Sequence, residues 1–272
     1  MLKDITIGQH FPGNSPVHRL DSRIKILVTI AYVVFLFLAS NVAGLALNIV
    51  FVLALYLLAK IPLKMLKKSL KPILPIILFT VILNLFFITG KGAPLFHLWK
   101  INIYKEGIIF CIVMVIRIIC LINGTSLLTY TTSPIELTDG MERLMKPLEI
   151  VKFPVHEMAM MMTIALRFIP TLIEETDKII SAQKSRGALL DSGSFKDRVK
   201  ALVPILIPLF ISAFRRADEL ATAMECRCYH GGKGRTRLKQ LKITGSDILI
   251  TVICVVFFTA VFATRFVLPS LI

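Results

Sequence analysis

Residues Ile26–Ala59 read ILVTIAYVVFLFLASNVAGLALNIVFVLALYLLA, thirty-four positions without one charged side chain. At about 1.5 Å per helical residue the stretch would reach roughly 50 Å, while the hydrocarbon core of a bilayer is about 30 Å thick. One helix cannot use that length, so the stretch reads as two short helices turning near Ser40, Asn41 and Gly44. Outward from it, Pro72–Gly90, Gly107–Tyr130 (interrupted by Arg117) and Ile248–Thr264 are further candidate spans. The whole chain of 272 residues is 56% hydrophobic with a mean hydropathy of +0.76. A soluble domain of this length needs a more polar surface than that average allows. The expected fold class is all-α: a polytopic membrane protein with about five transmembrane helices and a helical cytoplasmic coupling domain.

The distribution of charge orients the spans. Lys3, Arg19, Arg23 and Lys25 precede the first span, and Lys60, Lys64, Lys67, Lys68 and Lys71 follow the second. The turn between those spans carries no positive charge, and the segment Lys91–Lys105 carries three lysines. Short loops rich in Lys and Arg stay on the cytoplasmic side. The N-terminus is therefore expected inside, four spans return the chain to the cytoplasm near Tyr130, and a fifth leaves its end outside, in the plasma membrane of a prokaryote. The first twenty residues are polar, with no apolar core before a small-residue site, so no cleavable signal peptide is expected. The net charge of +15 sits beside spans, where it attracts anionic lipid headgroups, and no nucleic-acid partner is expected. Five cysteines, Cys111, Cys120, Cys226, Cys228 and Cys254, are odd in number and make no disulfide framework.

Residues 131–245 differ from the rest. They hold eighteen of the thirty-two Lys and Arg and thirteen of the seventeen Asp and Glu. This gives three regions: 1–130, a membrane domain of about four spans; 131–245, a cytoplasmic coupling domain with two long amphipathic helices; and 246–272, a final transmembrane helix. Two apolar patches in the middle region, Met158–Leu166 and Ala201–Phe214, are short for spans and suit amphipathic helices lying against the membrane or other helices. From Met158, the positions Met162, Ala165, Ile169, Leu172, Thr176 and Ile179 recur every three or four residues as one stripe. Glu174, Glu175, Lys178 and Lys184 fall mostly off it, and Glu174 and Glu175 read as a solvated face. The helix stops at Gly187, a residue suited to the left-handed C′ position. Asp191, Ser192, Gly193 and Ser194 make a turn-rich link. A second helix runs from about Phe195 to Arg227 and is bent at Pro204 and Pro208.

The two helices end alike. Asp177, Ile179, Ala182 and Arg186 are matched by Asp218, Leu220, Ala223 and Arg227, each at an offset of 41 residues. Each arginine has small neighbours, Ser185 and Gly187 in one copy, Cys226 and Cys228 in the other. An arginine in a last turn complements the negative end of the helix dipole, worth roughly 0.3–1 kcal/mol. It also suits a docking tip, because its planar fork binds a carboxylate bidentately and stays charged when desolvated. Two equivalent tips point to two equivalent or homologous partners.

At these residues the chain resembles a known family, the transmembrane T-component of energy-coupling factor (ECF) transporters, often called EcfT. Gly13–Lys25, with His18, Asp21 and Arg23, is similar to the family's opening signature. The family usually has leucine where Val17 stands and proline where Ser22 stands. Leu166–Pro170, leading through Glu174 and Glu175 to Ser185-Arg186-Gly187, looks like the first coupling helix. Ser212–Asp218, leading through Ala223 and Glu225 to Cys226-Arg227-Cys228, looks like the second, with Cys226 where alanine is common. The resemblance implies a scaffold that joins two cytoplasmic ATP-binding-cassette ATPases to a small membrane S-component, which captures a vitamin or metal ion. It implies that Arg186 and Arg227 dock in grooves on the two ATPases, whose ATP-driven closure moves the coupling helices. No cofactor is expected on this chain; ATP and Mg belong to the partner ATPases. A dedicated cobalt or nickel system is the nearest alternative.

The residues agree with a non-catalytic role. Gly231-Gly232-Lys233-Gly234 does not fit a phosphate-binding loop. An intramembrane enzyme would cluster ionisable groups within the spans, which hold Arg117 and little else. A free-standing secondary transporter would show inverted repeats around a midplane site, and the repeat found here lies in the coupling region. Cys226, Cys228 and His230 are poorly spaced for zinc, and no metal site is expected. Arg117 reads either as facing a partner or polar cavity, or as snorkelling from a shifted span. The methionines Met158, Met160, Met161 and Met162 read either as an adaptable partner surface or as core filling.

Overall fold

The first two helices start where a side chain satisfies an orphaned backbone N–H. The computed structural model describes residues 10–39, 41–87, 96–98, 101–188, 195–232 and 243–267. Ser15 opens α1 (Pro16–Arg19), its hydroxyl accepting the His18 N–H, and Asp21 opens α2 (Ser22–Leu38) by accepting the Arg23 N–H. The charge-free stretch then divides into α2 and α3 (Val42–Leu58). The break falls between Ala39 and Asn41; Ser40 lies outside the described residues. Gly44, expected in the turn, is instead in the first turn of α3. A Cβ there would stand 3.1 Å from Ala39 Cβ and 3.2 Å from Thr264 Oγ1, so glycine permits a close approach of helices.

Next come α4 (Lys64–Leu70) and α5 (Leu74–Phe87), bent by 61° at the break between them. A short antiparallel hairpin, β1 (Phe96–Leu98) with β2 (Ile101–Ile103), pairs Phe96 with Ile103. It is a small β addition to an otherwise helical chain. Then follow α6 (Lys105–Thr131), α7 (Pro134–Met145), a 3-10 turn at Lys146–Val151, α8 (Val155–Ser185), α9 (Phe195–Cys226) and α10 (Gly245–Val267). The expected links at 91–95 and 191–194 lie outside the described residues.

By contacts the chain forms two units. Among the described residues, one comprises 10–140 with 243–267 and the other comprises 141–188 with 195–232. In the first, α2 packs on α6 and α10, and α3 packs on the same two helices. Leu36 and Tyr56 are fully buried at its centre. Tyr32 donates to the Cys120 carbonyl at 3.0 Å, and Tyr56 to that of Asn123 at 3.3 Å. The rings of Phe51 and Phe257 stack at 4.2 Å, and those of Phe35 and Phe258 at 5.0 Å. The outside is as apolar as the inside: Ile30, Val34 and Phe37 of α2, Val50 and Leu57 of α3, Ile76 and Phe79 of α5, and Val252 and Val256 of α10 are all exposed. Such a surface belongs in lipid.

Among the described helices, two segments, Gly107–Thr131 and Gly245–Phe266, have the length and composition of a span, and α4 with α5 makes a third if the bent pair counts as one. The hairpin helices α2 and α3 have 17 residues each, about 25 Å and at the lower edge of what crosses a bilayer. Arg117 follows neither sequence expectation. Its Nη2 donates at 2.9 Å to the carbonyl of Ala39, the C-cap of α2, and its guanidinium lies 5.9 Å from the centroid of Phe37. A cation at the negative end of a helix satisfies one of the carbonyls that the last turn leaves open.

Candidate functional site

The two long helices of the second unit pack on each other and run antiparallel. Gln183 near the end of α8 donates to the Pro204 carbonyl in the first half of α9. Nearer the middle, Glu175 accepts hydrogen bonds from Ser212 and, at 2.7 Å, from Arg216 Nη2. Glu175 is thus not part of a solvated face, although its neighbour Glu174 is exposed. Adjacent helix positions point about 100° apart, so one carboxylate meets α9 and the other meets solvent.

Both helices close with the same cap. In α8, Arg186 is the C-cap and Gly187 takes φ 86°. The Gly187 N–H donates to Lys184 O and the Ala188 N–H to Gln183 O, each at 3.0 Å. In α9, Cys228 takes φ 53°, its N–H donates to Glu225 O at 2.9 Å, and the Tyr229 N–H donates to Met224 O at 3.1 Å. These are two Schellman caps, one on glycine and one on a cysteine held left-handed. The copies share a further bond: Ser181 donates to Asp177 O and Thr222 to Asp218 O, again 41 residues apart.

The caps present the residues singled out in the sequence. Ser185, Arg186, Gly187, Cys226, Arg227 and Cys228 are all exposed, as are Ala182, Asp218, Ala223 and Glu225, while Asp177 is half-buried. Each arginine lies eleven residues beyond the Glu175–Arg216 contact, in opposite directions. Along the helices that places the two tips about 33 Å apart. The chain after the second tip turns back onto its own unit: Gly232 sits where a Cβ would stand 2.3 Å from His156 Cδ2, and His156 Nδ1 lies 3.1 Å from Glu142 Oε1. Met161 and Met162 are exposed. Among the described residues no group of three His, Cys, Asp or Glu is placed to hold a metal ion.

The opening signature has a different setting, in the first unit. His18 Nδ1 lies 2.7 Å from Ser15 Oγ and Nε2 3.0 Å from the Phe11 carbonyl. Burial holds its pKa below the ordinary histidine value, the Phe11 hydrogen bond opposing. Asp21 grips the Arg23 guanidinium, with Nη2 2.6 Å from Oδ2, and this hydrogen bond raises the arginine pKa. The Asp21 N–H donates at 3.1 Å to Asp247 Oδ1 at the start of α10. Lys25, 6% exposed, donates to the carbonyls of His18 and Thr131. The signature therefore knots α1, α2, the end of α6 and the start of α10. Lys25 closes the signature, where it was read only as a flanking charge, and Asp247, which also carries the knot, stood out in no motif. The Glu175–Arg216 pair was also missed, although its own offset of 41 with opposite charges was readable.

Comparison with known proteins shows what the chain as a whole is similar to. A family model described as cobalt transport protein, CbiQ, matches residues 13–238. The chain is 54% identical over 257 residues to an energy-coupling factor transporter transmembrane protein EcfT from Clostridium kluyveri, covering 94% of this chain and 95% of the relative. It is 54% identical over 267 residues to the protein of that name from Ruminiclostridium cellulolyticum, covering 98% and 99%. With the one from Bacillus subtilis the identity is 48% over 265 residues, covering 97% and 100%.

Proposed function

The chain belongs to the family of energy-coupling factor transporter transmembrane proteins, the non-catalytic T-components of these importers, and from that premise we propose that its two arginine caps are where two cytoplasmic ATP-binding-cassette ATPases dock. The observation that carries this reading is the repeated cap: one backbone geometry, one exposed arginine and one offset of 41 residues, at Arg186 and Arg227.

On this reading ATP and Mg stay on the partner ATPases. Closure of the ATPases moves the tips, α8 and α9 carry the motion, and a small membrane S-component reorients and releases its vitamin or metal ion inward. The apolar outside of the first unit lies in the cell membrane with the N-terminus cytoplasmic, and lysines such as Lys60, Lys64 and Lys67 lie at anionic headgroups. A T-component dedicated to cobalt or nickel would use the same tips. The small membrane subunits that co-purify with the chain decide between shared and dedicated service.

The test is Arg186→Glu with Arg227→Glu. Truncating one partner of a desolvated charge pair costs about 2–5 kcal/mol, so reversing both abolishes co-purification of the ATPases while the chain still inserts. Survival of the complex under this double reversal sinks the docking role.

A further inference from the structure

The repeat and the helix contact meet at one place. If α8 and α9 are copies at an offset of 41, a pseudo-two-fold axis relates residue i of α8 to residue i+41 of α9. Only a pair separated by 41 can face itself across that axis. Glu175 and Arg216 are such a pair, and they are in contact at 2.7 Å. At a true two-fold axis one residue type would meet itself, and two like charges there would repel. Here the two copies carry opposite charges, and the Ser212 hydroxyl takes the second carboxylate oxygen of Glu175.

The surroundings suit a fulcrum. Pro170 in α8 and Pro204 and Pro208 in α9 all precede the contact, and each removes a helical hydrogen bond on that side. Beyond it, residues 176–185 and 217–226 hold neither proline nor glycine, so the arms to the two arginines are continuous helix. A contact on the axis is the one point that keeps its partners when two helices scissor. Each tip is about 16 Å along its helix from that point, so a relative turn of about 10° moves a tip by about 3 Å.

We propose that the Glu175–Arg216 ion pair, with Ser212, is the pivot of the coupling helices: a positioning cluster that fixes the spacing of the two docking arginines and lets them move as one. Its consequence for transport rests on the docking reading; its geometry does not.

The experiment measures the spacing directly. Spin labels go on Ser181→Cys and Thr222→Cys, exposed equivalent positions six residues beyond the pivot on each arm. The full chain carries Cys226→Ala and Cys228→Gly to remove the exposed thiols, and is held in nanodiscs for dipolar spectroscopy. The expected result is one narrow distance distribution in the parent, at least twofold broader in Glu175→Arg. It narrows again in Glu175→Arg with Arg216→Glu, where the pair is restored in reverse. Glu175→Gln, which keeps the shape, broadens it to a lesser degree. In the assembled transporter, uptake per ATP hydrolysed falls about tenfold in Glu175→Arg and recovers in the swap, while the ATPases stay bound. An unbroadened distribution in both single variants overturns the pivot, as does a swap that fails to narrow it. Retention of the ATPases by Arg186→Glu/Arg227→Glu would overturn docking and leave the distance result standing.

Discussion

Replacing Lys25 by Met removes a buried cation from the first turn of α2, where the helix ends of the first unit are knotted together. Its ammonium donates to the His18 carbonyl at 3.0 Å and the Thr131 carbonyl at 2.9 Å. Thr131 ends α6, so its carbonyl has no partner within the helix. Hydrogen bonds from a charged donor are worth about 1.5–3 kcal/mol each, and methionine leaves both acceptors unpaired. Part of that gross loss of about 3–6 kcal/mol returns, because methionine needs no desolvation. A net loss of about 3 kcal/mol follows. In a chain of this size 1 kcal/mol shifts the midpoint by about 2–4 °C, so the variant should unfold about 6–12 °C earlier. The assay is the loss of the monodisperse peak in size-exclusion chromatography after heating in detergent, with Lys64→Met as the control. Because such unfolding is irreversible, both proteins are heated on one schedule. A shift below about 2 °C would refute the reasoning, since it would mean that water or another donor already serves those carbonyls.

Two further outcomes follow from the backbone. Cys228→Gly relieves a left-handed residue at φ 53°. An L-residue there costs about 1–2 kcal/mol and glycine returns about 0.5–1 through chain entropy. Amide exchange at Tyr229 should therefore slow about two- to fivefold, while Gly187→Ala should speed exchange at Ala188; the opposite signs would refute the matched caps. Gly124→Ala places a Cβ 2.2 Å from Tyr32 Cε1, which forces Tyr32 away from the Cys120 carbonyl. The cost is about 2–4 kcal/mol of overpacking and lost hydrogen bonding, read as a fall in midpoint in the same chromatographic assay.

Local features of the chain could be read from the sequence because they depend on nearby residues. The break around Asn41, the stop at Gly187 and the two like endings at Arg186 and Arg227 each follow from side chains within a few positions. What depends on the register between distant elements could not. Glu175 was assigned to solvent from its own helix, because the position of Arg216 across the pair is set by how α8 and α9 pack. Asp247 meets the Asp21 N–H across 226 residues of chain, a distance no spacing rule covers. Arg117 read as facing a partner or polar cavity, or as snorkelling, because the carbonyl it serves, at Ala39, lies on another helix. Gly44 looked like a turn residue, yet its lack of a side chain serves the contact with Thr264.

The thiols of this chain are sorted by depth. Cys111, Cys120 and Cys254 are buried, whereas Cys226 and Cys228 are exposed on either side of Arg227. An alkylating reagent in water therefore meets the α9 tip and little else. If that tip sits in an ATPase groove, the rate of alkylation falls as the groove closes on it and recovers when it lets go. The unmodified chain thus carries its own chemical clock for one of its two tips, and the Arg186 tip, flanked by serine and glycine, is silent to the same reagent.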